Sequence, residues 1–112
     1  MRTIEQFHTF DSTLEIILVL PEGHHALWEK LCTEYSFTIT HQVVAGGEER
    51  FHSVKAGLGC VSGDSLVAIH DGVRPLVSHD TSWRCFADAE EVGNAVPCIE
   101  PADSVRILAG DE

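Results

Sequence analysis

An aspartate and an arginine three residues apart follow directly on an apolar run: Val67-Ala68-Ile69 ends in His70-Asp71-Gly72-Val73-Arg74-Pro75. In an open α/β sheet, ligands collect beyond the carboxyl ends of the strands, which places Asp71 and Arg74 at the mouth of a crevice. A carboxylate there can hold a divalent cation or sugar hydroxyls, and a planar guanidinium can fork onto a phosphate. The pair therefore suggests a phosphorylated, metal-bound substrate. The same residues also suit a buried strand that ends in a proline-initiated turn, and this stretch alone leaves both readings open.

A second stretch carries related chemistry. Val43-Val44-Ala45-Gly46-Gly47-Glu48-Glu49-Arg50-Phe51-His52-Ser53-Val54-Lys55-Ala56-Gly57-Leu58 reads as a strand, a glycine pair and a helix whose first turn carries Arg50 and Ser53. Two adjacent glycines let the backbone approach a flat ligand, and a helix start offers free N–H groups. The pattern Gly46-Gly47-x-x-Arg50-x-x-Ser53-Val54-x-x-Gly57-Leu58, followed by His70-Asp71-x-x-Arg74-Pro75, resembles the central part of the 2-C-methyl-D-erythritol 4-phosphate cytidylyltransferases of non-mevalonate isoprenoid synthesis. The ribitol-5-phosphate cytidylyltransferases look similar around His-Asp-x-x-Arg-Pro. The continuation from Arg50 to Leu58 favours the isoprenoid enzyme.

The resemblance implies a three-layer, Rossmann-like nucleotidyltransferase fold of class α/β with a mostly parallel sheet. It implies CTP and a sugar-alcohol phosphate as substrates, Mg²⁺ as cofactor, and a homodimer built by exchanged arms. Gly46, Gly47 and Glu48 would line the cytosine pocket, and Ser53 would hydrogen-bond the base. Gly72 would lie against the ribose, Asp71 would meet the metal or the sugar hydroxyls, and Arg74 would bind the acceptor's phosphate. Ser104 and Arg106, at the start of the arm over residues 100–112, would serve the neighbouring subunit. Arg50 is either a site cation or the partner of Glu49 or Asp71. The family's Gly-rich loop with its arginine, and its Pro-Lys motif, have no counterpart between Met1 and Glu112. Residues 1–112 are therefore expected to form a single partial nucleotidyltransferase domain that lacks the central first strand, holds no catalytic residue and is inactive in isolation. The alternative is a non-catalytic remnant that binds nucleotide weakly or associates with a full-length copy.

The elements that must position these residues follow from composition and periodicity. A chain of 112 residues with 44% hydrophobic content has room for one small domain. The formal net charge of −11 argues against a nucleic-acid partner. Only Arg50, Lys55, Arg74 and Arg106 bring positive charge near the suspected site. No signal-peptide core or membrane-length apolar run is present in the sequence, so a cytoplasmic protein with no membrane partner is expected. Cys32, Cys60, Cys85 and Cys98 show no C-x-x-C pair and are expected as small buried hydrophobes.

Aliphatic runs predict strands over residues 15–20, 37–44, 65–70 and 95–99. Three- and four-residue apolar spacings predict helices over residues 3–10, 22–35, 50–60 and from a cap at Ser78 to a stop at Gly93. Trp83 and Phe86 should mark the buried face of the last helix. The alternation argues for a parallel sheet with right-handed crossovers. His24 and His25 are expected to be solvated, His41 and His52 to lie near the site, and His70 to satisfy a backbone group at a strand end.

Overall fold

Four aliphatic residues, Ile17–Leu20, form strand β1, and Gln42–Ala45 form strand β2 beside it. The two run parallel, with Ile17 opposite Gln42 and Leu20 opposite Ala45. Parallel neighbours need a crossover, because a tight hairpin cannot return the chain in the same direction. Here a 3-10 turn at Glu22–His24 and helix α2, His25–Glu34, supply it. Helix α3, Arg50–Leu58, then packs back against β1. A Cβ at Gly57 would lie 3.0 Å from the Val19 Cγ2 methyl, so a glycine is what allows helix and strand to approach this closely. The computed structural model describes residues 1–104 and Arg106.

The two outer helices lie against each other. Helix α1, Arg2–Phe10, meets helix α4, His79–Val92, through the parallel rings of Phe10 and Phe86, whose centroids are 6.1 Å apart. The cap expected at Ser78 is present: its Oγ accepts the Thr81 backbone N–H at 3.0 Å, satisfying one of the donors a helix start leaves free. Gly93 closes the helix in the left-handed region at φ 99°, where a side chain would strain the backbone.

The described residues thus form an α/β unit with a two-stranded parallel sheet and four α-helices. Helices α1 and α4 match the sequence pattern closely, and β1 and β2 are shorter than it suggests. The strands expected over 65–70 and 95–99 are not formed among the described residues. A strand exists only through its ladder, and no described backbone pairs with either segment. The arm over 100–112 falls largely outside the described residues. No helix among them is long and apolar enough to cross a membrane.

Side-chain burial also departs from expectation. Ile4 is the single buried hydrophobic side chain among the described residues, and Trp83 is 64% exposed. Phe86 has found a ring to stack on, whereas the described residues leave most of the Trp83 indole uncovered. Cys32, Cys60 and Cys85 are half-buried and Cys98 is exposed, because too few layers surround them to exclude water.

Candidate functional site

β2 delivers the chain into Gly46-Gly47, and these glycines wrap the first turn of α3. The Gly47 N–H donates to Ser53 Oγ at 3.2 Å. A Cβ at Gly46 would lie 3.0 Å from that same oxygen, and a Cβ at Gly47 would overlap the Cβ of His52. Ser53 Oγ accepts from the turn and keeps its own proton to donate outward. Glu48 and Glu49 are exposed just before the helix.

The second motif meets the first through one carboxylate. Arg50 Nη2 donates to Asp71 Oδ1 at 2.8 Å, and Arg74 Nε lies 3.0 Å from Asp71 Oδ2. The alternatives for Arg50 are thereby resolved in favour of Asp71 over Glu49. Both guanidinium groups are largely exposed, so this ion pairing orders the loops more than it stabilises the fold. The Arg50 guanidinium, first through its hydrogen bond and then through its charge, holds the Asp71 carboxyl below the usual carboxylate range, and partial desolvation opposes this. A lowered folded value means that the contribution is present above the ordinary carboxylate range and is lost as pH falls through the lowered value. The ¹³C shift of the Asp71 carboxyl should therefore stay in its ionised position through the ordinary carboxylate range and move only below it. Arg50→Gln should bring the transition back toward the ordinary range. A wild-type transition at or above that range would refute the pairing.

Residues far away in sequence hold the Asp71 loop in place. Thr3 Oγ1 donates to Gly72 O at 2.6 Å, and Gln6 Nε2 donates to Val77 O at 2.6 Å. Phe7 meets the His70 ring edge-on, with centroids 5.0 Å apart. Helix α1 therefore clamps both ends of the loop. Sequence reading missed Thr3 and Gln6, and no local signal marks them, since their partners lie 69 and 71 residues away. Nothing lies within 4 Å of where a Gly72 Cβ would stand, so that face of the loop is open to a ligand.

Several expected placements are corrected. His70 is not seen to satisfy a backbone group: its Nδ1 is buried and meets no hydrogen-bond partner among the described residues. His41 lies away from the glycine turn, at the opposite end of β2. Its Nε2 accepts from Trp28 Nε1 at 2.9 Å and its Nδ1 lies 2.7 Å from Ile39 O, which makes it a structural link between α2 and the segment before β2. His25 is half-buried with Nε2 2.9 Å from Leu20 O, whereas His24 is exposed as expected. His52 does lie at the site, against Gly47. Ser104 and Arg106 are exposed.

The arrangement brings Gly46, Gly47, Ser53, Arg50, Asp71, Gly72 and Arg74 to the carboxyl end of β2 and the start of α3. It offers one ionised carboxylate, two guanidinium groups and a hydroxyl beside an open glycine turn. Among the described residues, no three His, Cys, Asp or Glu side chains cluster to hold a metal. Comparison with known proteins gives this arrangement a context. The sequence model of the family IspD, 2-C-methyl-D-erythritol 4-phosphate cytidylyltransferase, matches residues 1–111. A protein of that name from Phocaeicola vulgatus is 48% identical over 108 residues, which cover 96% of this chain and 49% of that protein. Its counterpart from Bacteroides fragilis is 49% identical over the same length, with the same coverage. That from Porphyromonas gingivalis is 52% identical over 96 residues, covering 86% of this chain and 43% of that protein. The chain spans about half the length of the curated relatives it matches.

Proposed function

Because the chain belongs to the 2-C-methyl-D-erythritol 4-phosphate cytidylyltransferase family, we propose that its two motifs form part of a site for cytidylyl transfer. CTP would donate the cytidylyl group to 2-C-methyl-D-erythritol 4-phosphate, and pyrophosphate would leave. The observation that supports this most directly is the joining of the glycine–arginine motif to the His-Asp-x-x-Arg-Pro motif through Asp71. Two segments that are separate in sequence meet on one ionised group, as a site for a nucleotide and a phosphorylated acceptor requires.

Gly46, Gly47 and Glu48 would line the cytosine pocket, where the glycine backbone admits a flat base. Ser53, whose oxygen already accepts from Gly47, would donate its proton to the base and so select it. Gly72 would lie against the ribose, with the open space beside it as the room required. Arg74 would bind the acceptor's phosphate, whose oxygen is anionic at neutral pH and attacks the α-phosphorus without a protein base. Asp71 Oδ1 accepts from Arg50, and Oδ2 faces the Arg74 guanidinium as an ion pair; lone pairs remain on both oxygens, so this carboxylate would suit a Mg²⁺ ion that takes its other ligands from phosphates and water. When bound, Mg²⁺ would offset charge on the phosphates during displacement. Ser104 and Arg106, both exposed, would serve the second subunit of a homodimer.

Equilibrium binding of CTP and UTP in the presence and absence of Mg²⁺ tests the reading, together with pyrophosphate release on addition of the acceptor. Mg²⁺-dependent binding that prefers CTP supports it. Equal binding of both nucleotides, or binding indifferent to Mg²⁺, would overturn it.

A further inference from the structure

Three side chains of α1, Thr3, Gln6 and Phe7, stand at the three- and four-residue spacing that puts helical neighbours on one face. All three reach the loop that follows Ile69. Thr3 Oγ1 donates to Gly72 O, Gln6 Nε2 donates to Val77 O, and the Phe7 ring lies edge-on to His70. Asp71 and Arg74 fall between these attachments. Thr3 is one of two buried polar side chains among the described residues, and a hydroxyl has a single proton to donate. Here that proton goes to the loop carbonyl.

Gly72 is where the loop most needs an anchor. Glycine has the widest choice of backbone conformation, and the loop's own bond, from Arg74 N to Asp71 O at 3.1 Å, spans the residue without fixing its carbonyl. Rotation of the Gly72 peptide would carry Arg74 away from Asp71 Oδ2, which it meets at 3.0 Å, and so change its distance from Arg50 on the other carboxylate oxygen. Both ion pairs are exposed, and exposed pairs alone contribute too little to hold two long side chains in one arrangement. The buried hydroxyl supplies what they lack. With the carbonyl turned to α1, another face of Gly72 stays open, since nothing lies within 4 Å of where a Cβ would stand.

We propose that Thr3 and Gln6 are positioning residues of the site. They touch no substrate; through the Gly72 and Val77 carbonyls they set where Asp71 and Arg74 stand relative to Arg50, and with it the spacing of these charges against a phosphorylated ligand. The choice of ligand rests on the cytidylyl-transfer reading, whereas the placement of the loop does not.

Thr3→Val keeps the branched shape and removes the donor, and Thr3→Ser keeps the donor. The arginine Nε–H signals in ¹⁵N–¹H spectra report on the loop without any ligand. In Thr3→Val the Arg74 signal should move toward that of a free arginine and its proton should exchange faster. The Arg84 signal, from an exposed pair with Asp80 within α4, should stay in place. Affinity for CTP with Mg²⁺ should fall about tenfold, with the preference for CTP over UTP unchanged because the glycine turn and Ser53 are untouched. Thr3→Ser should restore the signal and the affinity. Gln6→Met, which removes the second donor at similar length, should move the Arg74 signal in the same direction, and it provides the test where Thr3→Val does not fold. The proposal is overturned if the Arg74 signal is unmoved in the folded variants, if Thr3→Ser behaves as Thr3→Val does, or if affinity and base preference are lost together. An Arg74 signal that responds as expected in a chain that binds no CTP supports the positioning and refutes the cytidylyl-transfer reading instead.

Discussion

Asp71→Asn should tighten phosphate binding and, on the proposed reading of Asp71 as a Mg²⁺ ligand, weaken the Mg²⁺ dependence of CTP binding. In the wild-type chain the Asp71 carboxylate neutralises Arg50 and Arg74, each through one of its oxygens. The amide keeps the shape and loses the charge, so both guanidinium groups become free to fork onto phosphate oxygens. Binding of inorganic phosphate should strengthen several-fold on a charge argument alone. The strengthening of CTP binding by Mg²⁺ should largely disappear, because the carboxylate proposed to hold the ion has lost its charge. Calorimetric titration with phosphate and with CTP, with and without Mg²⁺, separates the two effects. Weaker phosphate binding in the variant would mean that Asp71 positions the arginines instead of restraining them. Unchanged Mg²⁺ dependence would remove it from the metal's ligands.

Gly47→Ala should be the most damaging single methyl group at the glycine turn. Its Cβ would overlap the Cβ of His52, with the His52 Cα and carbonyl carbon each 3.3 Å away. None of these atoms can swing aside as a long side chain could, so the start of α3 must shift. Overpacking of this kind costs about 1–3 kcal/mol. The shift also breaks the bond from Gly47 N to Ser53 Oγ, which orients the hydroxyl proposed to read the base. CTP affinity should drop roughly ten- to a hundredfold, with changed amide shifts over residues 50–53. Gly72→Ala is the control, because nothing lies within 4 Å of its added methyl group and the free chain should be undisturbed. Equal damage to the free chain from the two substitutions would show that the close approach at Gly47 is not what matters.

The helices were legible in the sequence because each depends on nearby residues. Ser78 and Gly93 bound α4 through a side-chain cap and a left-handed closure, both written into a few consecutive positions. Both site motifs were legible for the same reason, since glycine pairs and acid–arginine spacings are local patterns. The strands were less so. The aliphatic run at 65–70 has the composition of a strand, yet pairing requires a partner backbone, and composition says nothing about whether one is present. Burial failed likewise: apolar periodicity marked Trp83 as inward, but an inward face needs something to cover it.

From its residues alone this chain determines the β-α-β-α run from β1 to α3, the glycine turn at the start of α3, the acid–arginine loop and the family to which both motifs point. Local sterics and hydrogen bonding suffice for these features. Only the tertiary structure decided that Arg50 and Arg74 share Asp71, that Thr3 and Gln6 of α1 fasten the loop between them, and that His41 belongs to Trp28 instead of to the site. Each of these joins residues that no local rule relates, so it emerges only when the chain is folded.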